Sequence, residues 1–279
     1  MANEERIDEE AEMSFLDHLE ILRWHLVRSI TAIMLGAIGA FIFKGFIFDV
    51  LIFGPKRPDF ITYRALCALS QKLSEWIPAL FPDGAICIGQ DLPDLVNLTM
   101  AGQFSAHILT SLVAGLIMAF PYIIWEVWRF IGPGLKRSER SMARGFIAAA
   151  SLLFFSGVLF GYYVICPLSI NFFLNYQVSD AVLNSPTLST YISLITSVVI
   201  ACGAVFELPI LVFFLTKVGL VTPKVLKAFR KHAFVAALIL SAVITPPDVF
   251  SQILVSIPIL VLYELSIWIS RIVIKRDAT

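Results

Sequence analysis

The chain has 279 residues, 58% of them hydrophobic and only 15% charged, with a mean hydropathy of +0.84 and a formal net charge of zero. Soluble domains run about 45–50% apolar and about 25% charged, so these proportions place the chain in a membrane, and the neutral net charge gives no reason to expect a nucleic-acid partner. Its four cysteines, Cys67, Cys87, Cys166 and Cys202, form no CxxC pair, which argues against a zinc or thioredoxin-like site.

The first 12 residues are acidic (Glu4, Glu5, Asp8, Glu9, Glu10, Glu12), the opposite of a cleavable signal peptide. Phe15, Leu19, Leu22 and Leu26 then fall on one face of an amphipathic helix, with Asp17 and Glu20 on its polar side. Residues 1–23 are predicted to form a cytoplasmic segment, residues 24–270 a transmembrane domain and residues 271–279 a cytoplasmic tail.

Span 1 is predicted over Trp24–Phe43. A long outer loop, residues 45–103, follows it, and Ile61–Ile77 in this loop has the apolar spacing of a surface helix. Cys67 and Cys87 both lie there; they either pair in an oxidising compartment or stay separate, packed thiols.

Span 2 lies within Phe104–Phe130, and no Asp, Glu, Lys or Arg occurs from Leu95 to Trp125. The next loop runs Phe130-Ile131-Gly132-Pro133-Gly134-Leu135-Lys136-Arg137-Ser138-Glu139-Arg140. Glu139 is its one acid; it can accept a bidentate arginine from a partner or pair locally with Arg137 or Arg140.

Span 3 is predicted over Gly145–Cys166 and span 4 over Ser189–Thr216, which Glu207 interrupts. A carboxylate inside lipid needs a cavity, a partner or a proton. Pro209, two residues on, removes a backbone donor and opens the helix there, so the pair reads as a polar notch in the bundle.

Span 5, Ala233–Ile244, has 12 residues and reaches only about 18 Å, against a hydrocarbon core of about 30 Å. The Thr245-Pro246-Pro247-Asp248 turn ends it, with Asp248 placed to cap the next helix. Span 6, Phe250–Ile269, contains Glu264. Thr245 and Gln252 put polar groups near the tips of the last two spans.

Sidedness follows from the basic residues. Sixteen of the 21 fall in the N-terminal segment, the loops between spans 2 and 3 and between spans 4 and 5, and the tail. An even number of spans with this bias puts both termini inside. The predicted fold is therefore all-α, a polytopic bundle of six transmembrane helices with two short C-terminal spans.

No phosphate-binding GxxxxGK[ST] loop, HExxH or GxSxG is present, and the histidines His18, His25, His107 and His232 are scattered. The expectation is a protein with no catalytic set, cofactor or metal. The two remaining classes are a receptor or scaffold and a secondary transporter using Glu207 as an ion or proton site. The transporter predicts internal repeats and paired broken helices, and only Pro121 is a loose counterpart to Pro209.

His18-Leu19 with Leu22-Arg23, Trp128, Phe130 to Leu135 leading to Glu139-Arg140, Phe206-Glu207-Leu208-Pro209, and Thr245 to Gln252 together resemble TatC, the core multi-spanning subunit of the twin-arginine protein translocase. The resemblance spans nearly the whole chain. It implies a receptor in the bacterial cytoplasmic membrane that binds the paired-arginine signals of folded export substrates, driven by the proton-motive force. It also implies TatA- and TatB-type single-span partners, met near Thr245 and Gln252, and several copies in the working complex. The implied signal-binding residues are Glu20, Arg23, Phe130, Glu139 and Arg140. One departure stands out: the family pattern HLxELR has a glutamate where this chain has Ile21, with Glu20 one residue earlier. One residue is about 100° of helix, so either Glu20 shifts, Glu139 and Asp17 carry more of the work, or binding weakens.

Overall fold

The structure, a computed structural model, describes residues 15–76, 87–89, 92–132, 143–179, 181, 185–245 and 249–277. Among them there is no strand, only an isolated bridge between Val96 and Thr187. Lipid offers no water to unpaired backbone groups, so helices that pair their own backbone are the natural spanning elements.

Helix α1, Phe15–Ile42, runs unbroken from the amphipathic segment through span 1. The expected division at residue 23 is therefore not a break in structure. Nothing between Leu19 and Ile42 stops a helix: the stretch holds no proline, and its glycines, Gly36 and Gly39, are isolated. Helix α2, Ile61–Trp76, is the surface helix of the long loop. Helix α3, Gly102–Ile131, is span 2. Span 3 is longer than expected: α4, Ala143–Phe160, continues through a π-helical turn, Gly161–Ile165, into α5, Cys166–Asn175. Pro167 sits in the first turn of α5, where its missing N–H does least harm.

Span 4 is divided. Helix α6, Leu188–Phe206, ends at Glu207, and α7, Leu208–Lys217, begins there with Pro209 in its first turn. A short helix α8, Pro223–Ala228, capped by the Thr222 side chain, leads into α9, Arg230–Ile244, and α10, Val249–Asp277. Among the described residues five helices are long and apolar enough to cross a membrane: Leu19–Ile42, Gly102–Ile131, Gly145–Asn175, Leu188–Lys217 and Ser251–Lys275. Helix α9 has 15 residues and is about 22 Å long; as a short sixth it is consistent with six crossings. Of the two C-terminal spans, α9 is the short one. Helix α10 has 29 residues and continues past Ile269 to Asp277.

Side-chain contacts fix which ends lie together. His25 of α1 meets Glu126 of α3, Trp128 lies 6.0 Å from the Phe214 ring of α7, and Thr216 hydrogen-bonds Ser270 of α10 at 2.9 Å. The start of α1, the end of α3 and the far end of α10 therefore share one end of the bundle, the basic end. At the opposite end three tyrosine hydroxyls hold the long loop down. Tyr63 donates to Pro55 O at 2.9 Å, Tyr162 to Leu51 O at 2.7 Å and Tyr191 to Ile52 O at 2.9 Å. The Tyr63 and Tyr191 phenols each satisfy a carbonyl that burial would otherwise leave unpaired.

The core lies between the π-helical turn, α5 and α6, around Ile165, Cys166, Ile170, Ile192 and Ile195. Large apolar side chains such as Leu35, Ile38 and Leu152 remain outside it, more than half exposed. In water that pattern marks an interaction surface; on a spanning helix it is the face that meets lipid tails.

Candidate functional site

The basic end brings together part of the expected docking set. Glu20, Ile21 and Arg23 are exposed on the first turns of α1. The Arg23 guanidinium lies 5.6 Å from the Trp24 ring centroid. Phe130, in the last turn of α3, packs edge-on against His25 with ring centroids 6.1 Å apart. Glu139, Arg140 and the Gly-Pro-Gly segment from Gly132 lie, apart from Gly132 itself, outside the described residues, as does the Pro246-Pro247-Asp248 turn.

At the centre of this end is a residue that sequence reasoning missed. Glu126 is fully buried. His25 Nδ1 donates to its Oε2 in direct contact, and Tyr122 donates to Oε1 at 2.9 Å. Arg129 Nη1 lies 3.4 Å from Oε1 and Arg28 Nη1 3.9 Å from Oε2. A buried carboxylate persists only when charge and hydrogen bonds replace its water, and here two helices supply four groups. The signal for Glu126 was its register. Ser111, Gly115, Ala119 and Glu126 are all buried on α3, at spacings of 4, 4 and 7, so Glu126 belongs to the face that packs on α1 rather than to the loop beyond.

Glu207 lies where α6 gives way to α7. Its backbone carbonyl accepts from the N–H groups of Ile210 and Leu211, both at 3.0 Å, while its side-chain Oε1 is buried with no hydrogen-bond partner. Pro209 beside it is buried. Near the α9–α10 turn, Thr245 is buried and donates to Ser241 O at 2.8 Å; Gln252 donates to Leu238 O at 3.2 Å, tying α10 to α9. Further along this pair, Arg230 and Glu264 form an ion pair at 2.6 Å. Ile253, Ile257, Val261, Leu265, Trp268 and Ile272 make a continuous exposed stripe along α10.

In the long loop, Cys67 of α2 and Cys87 are joined by a disulfide with their Cα atoms 4.5 Å apart. Gly89 beside it has φ +83° and lies against the Tyr63 ring, where a Cβ would come within 2.6 Å, so only glycine fits. Lys56 pairs with Asp94 at 2.7 Å and holds that carboxyl below its ordinary range. Among the described residues no three His, Cys, Asp or Glu side chains are grouped as metal ligands are.

This architecture defines a multi-pass helical membrane protein whose polar machinery is concentrated at one end, around a buried carboxylate and paired arginines. Residues 17–258 match the model of the family described as Sec-independent protein translocase protein (TatC). The Sec-independent protein translocase protein TatC of Blattabacterium sp. subsp. Periplaneta americana (strain BPLAN) is 40% identical over 96% of this chain and 99% of its own length. That of Aquifex aeolicus (strain VF5) is 32% identical over 95% and 97%. A crystal structure of the twin arginine translocase receptor TatC superposes with a TM-score of 0.65 at 31% identity, covering 92% of this chain and 99% of that one. The chain belongs to the TatC family and is a component of a Sec-independent protein translocase.

Proposed function

We propose that this chain is the receptor and scaffold subunit of a twin-arginine translocase in a bacterial cytoplasmic membrane. Both termini and the basic loops lie on the cytoplasmic side. The chain is organised as a cytoplasmic segment over residues 1–23, a membrane domain over 24–270 and a tail over 271–279. Paired-arginine signal peptides dock at the basic end on Glu20, Arg23 and Phe130, with Glu139 and Arg140 of the adjoining loop completing the site. The observation that carries this reading is the contact of His25 with both Glu126 and Phe130. It holds the start of α1 against the end of α3, which supports reading a docking surface at this end of the bundle.

TatA- and TatB-type single-span subunits pack along α9 and α10 near Thr245 and Gln252, in a complex with several copies of this chain. An interhelical hydrogen bond in lipid contributes about 1 kcal/mol, enough to set register, while the apolar stripe of α10 supplies area. The chain itself catalyses no reaction. Transport draws on the membrane potential, about 2.3 kcal/mol per charge per 100 mV. Membership of a protein-translocase family leaves no ground for reading Glu207 and Pro209 as a solute-coupling site.

The test is photocrosslinking from position 130 to a signal peptide carrying Arg–Arg or Lys–Lys. The Arg–Arg peptide should crosslink and Glu139→Ala should weaken it. Equal crosslinking of both peptides would count against the docking site.

A further inference from the structure

We infer that Glu126 is the carboxylate that receives a guanidinium of the incoming signal, and that Arg28 and Arg129 occupy it in the resting protein as internal stand-ins. This deepens the docking function proposed above and rests on it.

The partners of Glu126 divide into two kinds. His25 and Tyr122 hold one oxygen each at hydrogen-bonding distance, and the His25 side chain is 14% exposed. Arg28 and Arg129 stand further off, at 3.9 and 3.4 Å, and their side chains are 48% and 45% exposed. A strong charge-assisted bond to a carboxylate closes to about 2.7–2.9 Å, and the pair is normally bidentate. Neither arginine reaches that distance. His25 and Tyr122 fix the carboxylate from within; the arginines cover its open side loosely.

Such an arrangement suits exchange. Removing a partner from a buried carboxylate is costly because a bare charge remains. Replacing one guanidinium by another leaves no bare charge at any stage. The displaced heads move the short distance to solvent, and Arg129 already lies 5.0 Å from the Trp125 ring centroid, which gives it a second resting place. Two arginines on one carboxylate also reproduce the charge pattern of a paired-arginine signal. A lysine pair is a poorer competitor, because an ammonium is a point charge that cannot present the planar fork.

Position matters as much as charge. Glu126 is one helical turn before Phe130, on the face that meets α1 through His25. Ile21, where the family pattern places a carboxylate, is an exposed apolar side chain. In this chain the buried acidic group at the junction of α1 and α3 comes from α3.

The experiment measures binding of Arg–Arg and Lys–Lys signal peptides to the purified full chain in detergent. It compares the wild type, Arg28→Gln/Arg129→Gln, the same pair with Glu126→Gln, and Arg28→Gln alone. Removing the internal competitors should tighten Arg–Arg binding about tenfold, the scale of one charge-assisted hydrogen bond. Lys–Lys binding should change less than about twofold on the same scale. Adding Glu126→Gln should abolish the gain, and Arg28→Gln alone, which removes only the more distant partner, should give a smaller gain in the same direction. A structural role for the arginines predicts the reverse, weaker binding in both variants. Unchanged or weaker Arg–Arg binding, or an equal gain for both peptides, would overturn the inference. If the wild type fails to prefer Arg–Arg over Lys–Lys, the docking function itself is overturned; if it does prefer Arg–Arg and no gain appears, only the role of Glu126 is.

Discussion

Gly36 of α1 and Gly115 of α3 face each other so closely that neither has room for a side chain. A Cβ on Gly115 would come within 2.5 Å of Ala37 N and 2.6 Å of Ile33 O, and one on Gly36 within 3.0 Å of Gly115 Cα. Small residues let two spanning helices meet backbone to backbone, where close packing replaces the hydrophobic drive that lipid does not supply. Gly115→Val should therefore push α1 and α3 apart, at a cost of about 3 kcal/mol or more. A thermal melt of the purified protein in detergent reads this out. An unchanged melting temperature would show that the two helices do not meet here.

The His25–Glu126 contact makes a second, separable prediction. His25→Ala leaves a buried carboxylate without its closest donor, and breaking a buried pair costs about 3–5 kcal/mol. Tyr122 and Arg129 remain on the other oxygen, which places the loss at about 3 kcal/mol, the lower end. His25→Arg keeps a hydrogen-bond donor facing the carboxylate and should retain most of the stability. The measurement is the detergent melt of the two variants side by side; equal losses would mean that shape rather than hydrogen bonding holds the contact.

The disulfide predicts a labelling pattern. In the unreduced protein no cysteine should react rapidly with a maleimide, because Cys67 and Cys87 are paired and Cys166 and Cys202 are buried. Cys67→Ser should make Cys87 reactive. The bridge closes a loop of sequence separation 20, and on a chain-entropy account its loss costs about 3 kcal/mol. The cost falls on the long loop, so signal binding at the opposite end should be unaffected.

Ile21→Glu places a carboxylate on the exposed first turns of α1, two residues before Arg23. Signal-peptide binding should hold steady or strengthen, because an exposed carboxylate adds attraction without disturbing packing. A clear loss of crosslinking would mean that the apolar side chain at position 21 has become part of the site.

These predictions draw unequally on sequence and structure. The five long spans are visible as apolar runs with few charges. The kink at Glu207 is visible in Pro209, and the shortness of α9 in the distance from its basic start to the paired prolines. Each of these is a local property of consecutive residues. The continuity of α1 across residue 23 was harder to see, because an amphipathic surface helix and the first turns of a span have the same apolar spacing. The length of α10 was hidden in a similar way: Arg271 and Lys275 look like the end of a span, yet the helix carries them onward.

What the amino-acid sequence determined alone was the class of protein, the number and placing of its apolar segments, and the uneven distribution of its basic residues. Hydropathy and charge act segment by segment and need no knowledge of neighbours. Only the tertiary structure decided which faces meet. In a span nearly every residue is apolar whether it faces lipid or another helix, so composition cannot separate the two. Glu126 shows the consequence. Read along the chain it is the first charge after a charge-free apolar run; packed against α1 it is the buried centre of the basic end. The closure of Cys67 on Cys87 was likewise left open by the sequence and follows from the fold, which holds their Cα atoms 4.5 Å apart.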